Sequence, residues 1–140
     1  MNSEAEAIEL AREYLAQAGW LRIKVTSGSM TPVMRLGDWV QVESVRQPLR
    51  VGDIVMVDCG GKAVIHRLIF IAPRYLILQG DAVFRFDPPV APWQVIGIVT
   101  SRERNGHKVD VKSFPLSLMS FLMVAMSIAR SIVWRAWKGF

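Results

Sequence analysis

At 140 residues the chain is sized for one domain with a single core, and its lone cysteine, Cys59, excludes an internal disulfide. The apolar share of 51% is high for a globular domain, with the excess at the C-terminus, and a net charge of +5 is compatible with nucleic acid or an anionic membrane surface. The basic residues form no block, and Arg130, Arg135 and Lys138 sit inside the apolar tail, which favours a membrane over nucleic acid as partner. The acidic N-terminus has no long apolar core, so no secretory signal peptide is expected. There is no internal repeat and no low-complexity segment.

Ser3-Glu4-Ala5-Glu6 has the form of a capping box, Ile8, Ala11, Leu15 and Ala18 recur at helical spacing, and Gly19 suits a C-terminal stop. This predicts a short amphipathic helix over about residues 4–18. Glu4, Glu6, Glu9, Arg12 and Glu13 give it too many charges to span a bilayer. Residues 21–25 alternate as a strand, and further strands are expected over residues 39–45, 53–57, 63–71, 75–79, 95–101 and 108–112. Turns are marked by residues 48–53, by residues 58–62 and by Asn105-Gly106, a hairpin signal. Residues 80–92 read as an irregular loop. Short strands with close turns and few helices give a mainly β fold, a folded sheet or barrel. The expected organisation is an N-terminal helix over residues 1–20, a β domain over 21–112 and an apolar C-terminal helix over 113–140.

The strand at 21–25 runs directly into Ser27-Gly28-Ser29-Met30-Thr31-Pro32, and Gly37-Asp38-Trp39-Val40 follows. Gly28 lets the backbone bend and approach another segment closely, and Pro32 fixes its own φ and extends Thr31. A serine held on a rigid tight turn is what acyl transfer needs, and it is inert without a base. A second box, Gly52-Asp53-Ile54-Val55, is followed by Ile65-His66-Arg67, and a third, Leu78-Gln79-Gly80-Asp81, by Asp87. Imidazole has an ordinary pKa near 6.5 and can act as a base without the strong desolvation a lysine requires.

These boxes, in this order over about residues 25–100, resemble the type I signal peptidases and their serine-box relatives, serine peptidases of the S24/S26 kind. His66-Arg67 stands where the bacterial enzymes carry a lysine base, which is similar to the endoplasmic-reticulum and archaeal branch. The resemblance implies a signal-peptidase-like catalytic core and a serine endopeptidase that removes signal or leader peptides. Ser29 would be the nucleophile and His66 the general base, and Ser27 would assist the oxyanion. By the family's spacing Asp87 would orient His66. Asp81 would brace the loop or the site wall, and Arg67 would be a further supporting residue. The family's Asn-Asn after Gly-Asp is replaced by Ala82-Val83, which leaves the choice between Asp81 and Asp87 open. The implied substrate is an extended polypeptide with small residues before the cut, bound by strand addition. No cofactor and no metal are expected: one cysteine and two histidines, none at ligand spacing, do not make a zinc site. Cys59 sits in a hairpin loop with no histidine placed to activate it, and His107 follows an exposed turn.

Residues 114–129 are uncharged, slightly short for a span of about 20 residues. Ser113, Ser117, Ser120, Ser127 and Ser131 share one helical stripe with Val124 in the gap, a pattern that suits packing against another helix in a membrane. Trp134, Trp137 and the basic residues suit an interface. The expectation is membrane association through the C-terminal helix, with the side of the membrane unassigned. Besides a cytoplasmic-side peptidase that processes the leader of a modified peptide, two other functional readings stand. One is a relative of the self-cleaving SOS repressors, which use lysine; neither a DNA-binding helix-turn-helix pattern nor a cleavage site in a linker precedes the serine turn in this sequence. The other is a catalytically silent binding module.

Overall fold

The computed structural model describes the backbone of residues 3–111 and 114–139, and side chains over the same residues except 114–120. The chain opens with helix α1, Ser3–Ala18, whose Ile8 and Leu15, two turns apart, are its buried residues. Gly19 ends it at φ +84°, its N–H bonding the Leu15 carbonyl at 2.9 Å. Seven strands follow: β1 Trp20–Lys24, β2 Trp39–Glu43, β3 Ile54–Cys59, β4 Lys62–Ile71, β5 Leu76–Gln79, β6 Val95–Arg104 and β7 His107–Asp110. A single 3-10 turn, Pro92–Gln94, precedes β6, and helix α2, Phe114–Lys138, closes the chain.

All strands pair antiparallel in one sheet of order β1-β2-β6-β3-β4-β5, with β7 on β6 beyond the end of β3. This is the mainly β fold that the short strands and close turns predict. The turn residues act as their chemistry requires. In both Arg35-Leu36-Gly37-Asp38 and Arg50-Val51-Gly52-Asp53 the glycine takes positive φ (+92° and +99°), and the aspartate carboxylate accepts the N–H of the arginine three residues earlier at 2.8 Å. These two Gly-Asp boxes are therefore one turn used twice, each launching a strand.

β3 is buried on both faces. Ile54 and Met56 join Ile8, Leu15, Met30, Met34, Val40, Val42 and Val99 in one core under α1. Val55 and Val57 join Leu68, Leu76, Leu78 and Val90 in a second core on the other face. Each such fully buried side chain contributes roughly 1.5–3 kcal/mol relative to exposure, so the two clusters fix the register of the central strands.

The membrane association expected of the C-terminal segment is overturned. Among the described residues no helix is long and apolar enough to cross a membrane. In α2 the charges of Arg130, Arg135 and Lys138 interrupt the apolar run, and Ser127 and Ser131 of the serine stripe are buried in this chain's own fold. α2 packs on β4. Ser113 and the side chains of Ser117 and Ser120 lie outside the described residues.

Candidate active site

Ser29 sits on a turn that the core holds in place. Met30, Val33 and Met34 around it are buried, and the turn is closed by Thr31 N–H to Gly28 O at 3.1 Å and Met34 N–H to Met30 O at 3.0 Å. From the other side the loop after β5 presses on it. Ala82 N–H bonds the Ser29 carbonyl at 2.9 Å. A Cβ on Gly80 would lie 2.7 Å from that carbonyl oxygen and 3.0 Å from His66 Nε2, so no side chain fits there. The third Gly-Asp box thus differs from the first two: its glycine is needed for close approach rather than for φ.

His66 lies on β4 opposite Val55 of β3 and is nine-tenths buried. Its Nε2 is 3.1 Å from Ser29 Oγ, within the reach of a general base. Its Nδ1 contacts Asp87 Oδ2. A carboxylate only accepts, so the neutral imidazole carries its proton on Nδ1 and leaves Nε2 to accept from the Ser29 hydroxyl. Asp87 hangs on the irregular segment after β5, with its N–H bonded to Leu78 O at 2.8 Å. Ser27 Oγ lies 3.2 Å from Ser29 Oγ, close enough to act on the same reacting centre.

Asp81 does not contact His66 in any described hydrogen bond; it meets Arg67. Arg67 Nε and one terminal nitrogen bind the two Asp81 oxygens at 2.8 and 2.7 Å, and the other terminal nitrogen binds Gly52 O at 3.0 Å. Both side chains are fully buried. This fork ties β4 beside His66 to the Gly52 turn and to the loop that presses on Ser29. The structure therefore brings Ser29, His66, Asp87 and Ser27 together and puts Arg67 and Asp81 behind them.

A groove of about 690 Å³ opens at Ser29 and His66. Its walls are residues 23–27, residues 62–66 of β4, and Glu4, Ala7, Ile8 and Ala11 of α1, over a floor of Met30, Met34 and Met56. β1 is an edge strand, and residues 62–65 of β4 pair only with β3 among the described strands, so two backbone edges face the groove. A groove of about 780 Å³ between residues 43–54 and α2 is lined by none of Ser27, Ser29, His66 and Asp87. Cys59 is partly buried, and burial, with the nearby Asp87 and Asp58 charges, pushes its thiol pKa up, away from nucleophile character. Among the described residues no three His, Cys, Asp or Glu side chains cluster to hold a metal.

Two residues beside the site escaped sequence reasoning. Gln79 is fully buried and donates from Nε2 to Val83 O at 2.6 Å, and Ser131 of α2 reaches Gln79 Oε1 at 3.2 Å. Ser131 carried a signal, its place in the serine stripe, but the stripe alone does not say what it packs against.

Ser29, His66 and Asp87, chained by hydrogen bonds beside an antiparallel sheet, have the arrangement of groups that a serine peptidase uses. A family model described as Peptidase S24-like matches residues 1–83, more than half of the 140 residues. The chain belongs to that family. The match includes Ser29 and His66 and stops short of Asp87. No curated protein matches the chain.

Proposed function

We propose that this protein is a serine endopeptidase of the histidine-containing signal-peptidase-like branch, cleaving signal or leader peptides from protein substrates. The observation that carries the reading is the hydrogen-bonded chain from Ser29 Oγ through His66 to Asp87 at the mouth of a groove with two strand edges. Ser29 Oγ attacks the scissile carbonyl while His66 Nε2 takes its proton, and Asp87 holds the imidazole tautomer. The tetrahedral oxyanion is met by the Ser29 N–H and the Ser27 hydroxyl, each such donor contributing about 3 kcal/mol. The imidazolium then delivers the proton to the leaving amine, and water hydrolyses the acyl-enzyme by the same route in reverse. The substrate lies extended between residues 23–26 and 62–65, with small residues before the cut.

The test is cleavage of a panel of leader-type peptides by the full chain and by Ser29→Ala. Cleavage should fall on the order of 1,000-fold or more in the variant; equal rates would end the proposal. Membership of the Peptidase S24-like family favours a second reading, self-processing as in the SOS repressors. It predicts that the purified chain shortens at a rate independent of its concentration, with no added peptide, and that Ser29→Ala stays intact.

A further inference from the structure

We infer that α2 is a positioning element for the proposed triad, with Ser131 and Trp134 clamping the segment that carries Asp87; the inference rests on the peptidase reading of the site. Asp87 lies within a stretch without regular structure, residues 83–89. Such a stretch has many conformations in reach, and an orienting carboxylate works only when held in one. The holding groups come from β5 and α2. Gln79 Nε2 binds Val83 O at 2.6 Å. The Ser131 hydroxyl is directed to Gln79 Oε1 at 3.2 Å and Phe84 O at 3.4 Å, its one proton shared between them. The Arg130 guanidinium lies 5.8 Å over the Phe84 ring, and that of Arg85 lies 5.4 Å over the Trp134 ring. Three successive residues shortly before Asp87 are thus fixed, two of them directly by α2.

The placement of Ser131 is not what helix chemistry alone would choose. A serine within a helix can satisfy its hydroxyl on the carbonyl one turn back. Ser131 is instead buried and reaches out to the loop. Toward Asp87 the loop and α2 part around an open groove of about 660 Å³, lined by Phe86, Asp87, Pro88, Trp134 and Arg135. Beyond Arg85 the loop's backbone is held to β5, by Asp87 N–H to Leu78 O at 2.8 Å and by the Leu76–Val90 bridge. So α2 fixes the residues that lead into Asp87, and undocking of α2 would loosen the aim of the Asp87 carboxylate at His66 while leaving Ser29, His66 and the Arg67–Asp81 pair in place.

The experiment uses the full chain with Ser131→Ala, Ser131→Thr and Trp134→Ala, and Val133→Ala on the exposed face of α2 as control. Two readouts are taken: the rate at which a fluorophosphonate probe modifies Ser29, and the downfield proton resonance of His66 Nδ1, which reports the bond to Asp87. Ser131→Ala and Trp134→Ala should slow modification about 10- to 100-fold and broaden or abolish the resonance, with the thermal midpoint little changed. Ser131→Thr, which keeps the hydroxyl, and Val133→Ala should resemble the wild type. An unchanged rate and an unchanged resonance in both Ser131→Ala and Trp134→Ala would overturn the inference. If the wild type does not react with the probe yet its His66 resonance is lost in Ser131→Ala, positioning stands and the peptidase reading fails.

Discussion

Asp81 and Asp87 lie six residues apart on one loop, and the same substitution should act on them in opposite ways. Asp81 is fully buried against Arg67, and the pair has no solvent to fall back on. Replacing it with asparagine leaves a buried guanidinium facing a neutral amide, a loss on the order of 3–5 kcal/mol. Asp81→Asn should therefore lower the denaturant midpoint strongly, and the residual folded fraction should keep its Ser29–His66 geometry. Asp87 is partly exposed and touches the ring of His66. Asparagine there can donate to Nδ1 and stabilise the wrong tautomer, with its proton on Nε2. Asp87→Asn should leave the midpoint nearly unchanged and cut cleavage by up to about 10⁴-fold. Chemical denaturation and peptide cleavage of the two variants check this, and reversed outcomes would exchange their roles. The sequence left this choice open because Asp81 belongs to the third Gly-Asp box, Asp87 follows it, and Ala82-Val83 replace the pair that the resemblance leads one to expect between them. In the structure Asp87 contacts His66 and Asp81 is taken up by the Arg67 fork, a contact between β4 and the loop that spacing does not encode.

At the scale of elements, the turn before β2 is tied to the end of β6 by Asp38 and Arg104, whose nitrogens bind the two carboxylate oxygens at 2.9 and 2.7 Å. That hydrogen bonding from Arg104, aided by the Arg35 N–H and opposed by burial, holds the Asp38 carboxyl below the usual carboxylate range, and the same contact raises Arg104. A carboxyl depressed in the folded state stabilises the fold above its unfolded pKa, about 3.9, and that contribution is lost as pH falls through the lower folded value. The stability difference between wild type and Asp38→Asn should thus be full near neutrality, shrink below about pH 4, and vanish in stronger acid. A difference that stays constant down to pH 2 would show that the ion pair does not join these elements. The elements themselves were legible. Short alternating or apolar runs between turn signals placed all seven strands, and the Gly37-Asp38 and Gly52-Asp53 boxes marked two of the turns, because strand pattern and turn chemistry are local properties. Gly80 looked like a third copy of that turn, yet its reason is the approach of Ser29 and His66, which is set by distant chain.

At the scale of the whole molecule the two helices invert what their composition suggests. α1 is short and heavily charged, yet Ile8 and Leu15 enter the larger core. α2 is 25 residues long and mostly apolar, yet none of its described residues belongs to either core cluster, and Phe121, Leu122, Ile132, Val133 and Trp137 are exposed. Sequence reasoning found the amphipathic face of α1 because polar residues outline it. The serine stripe outlines one face of α2 but not what that face packs against, so its docking through Ser131 was not read and its apolarity pointed to a membrane. Core membership, not hydropathy, sets the free energy at which a segment opens. Amide hydrogen exchange should therefore find β3 and β6 slowest, α1 close behind, and residues 121–138 exchanging well before α1 together with residues 83–87. The joint opening of α2 and the loop is the informative part, since the Ser131 and Trp134 contacts are what couple them. Exchange of α2 as slow as β3 would mean that it belongs to the core. Fast exchange of α2 with a protected 83–87 segment would mean that the loop holds Asp87 by itself.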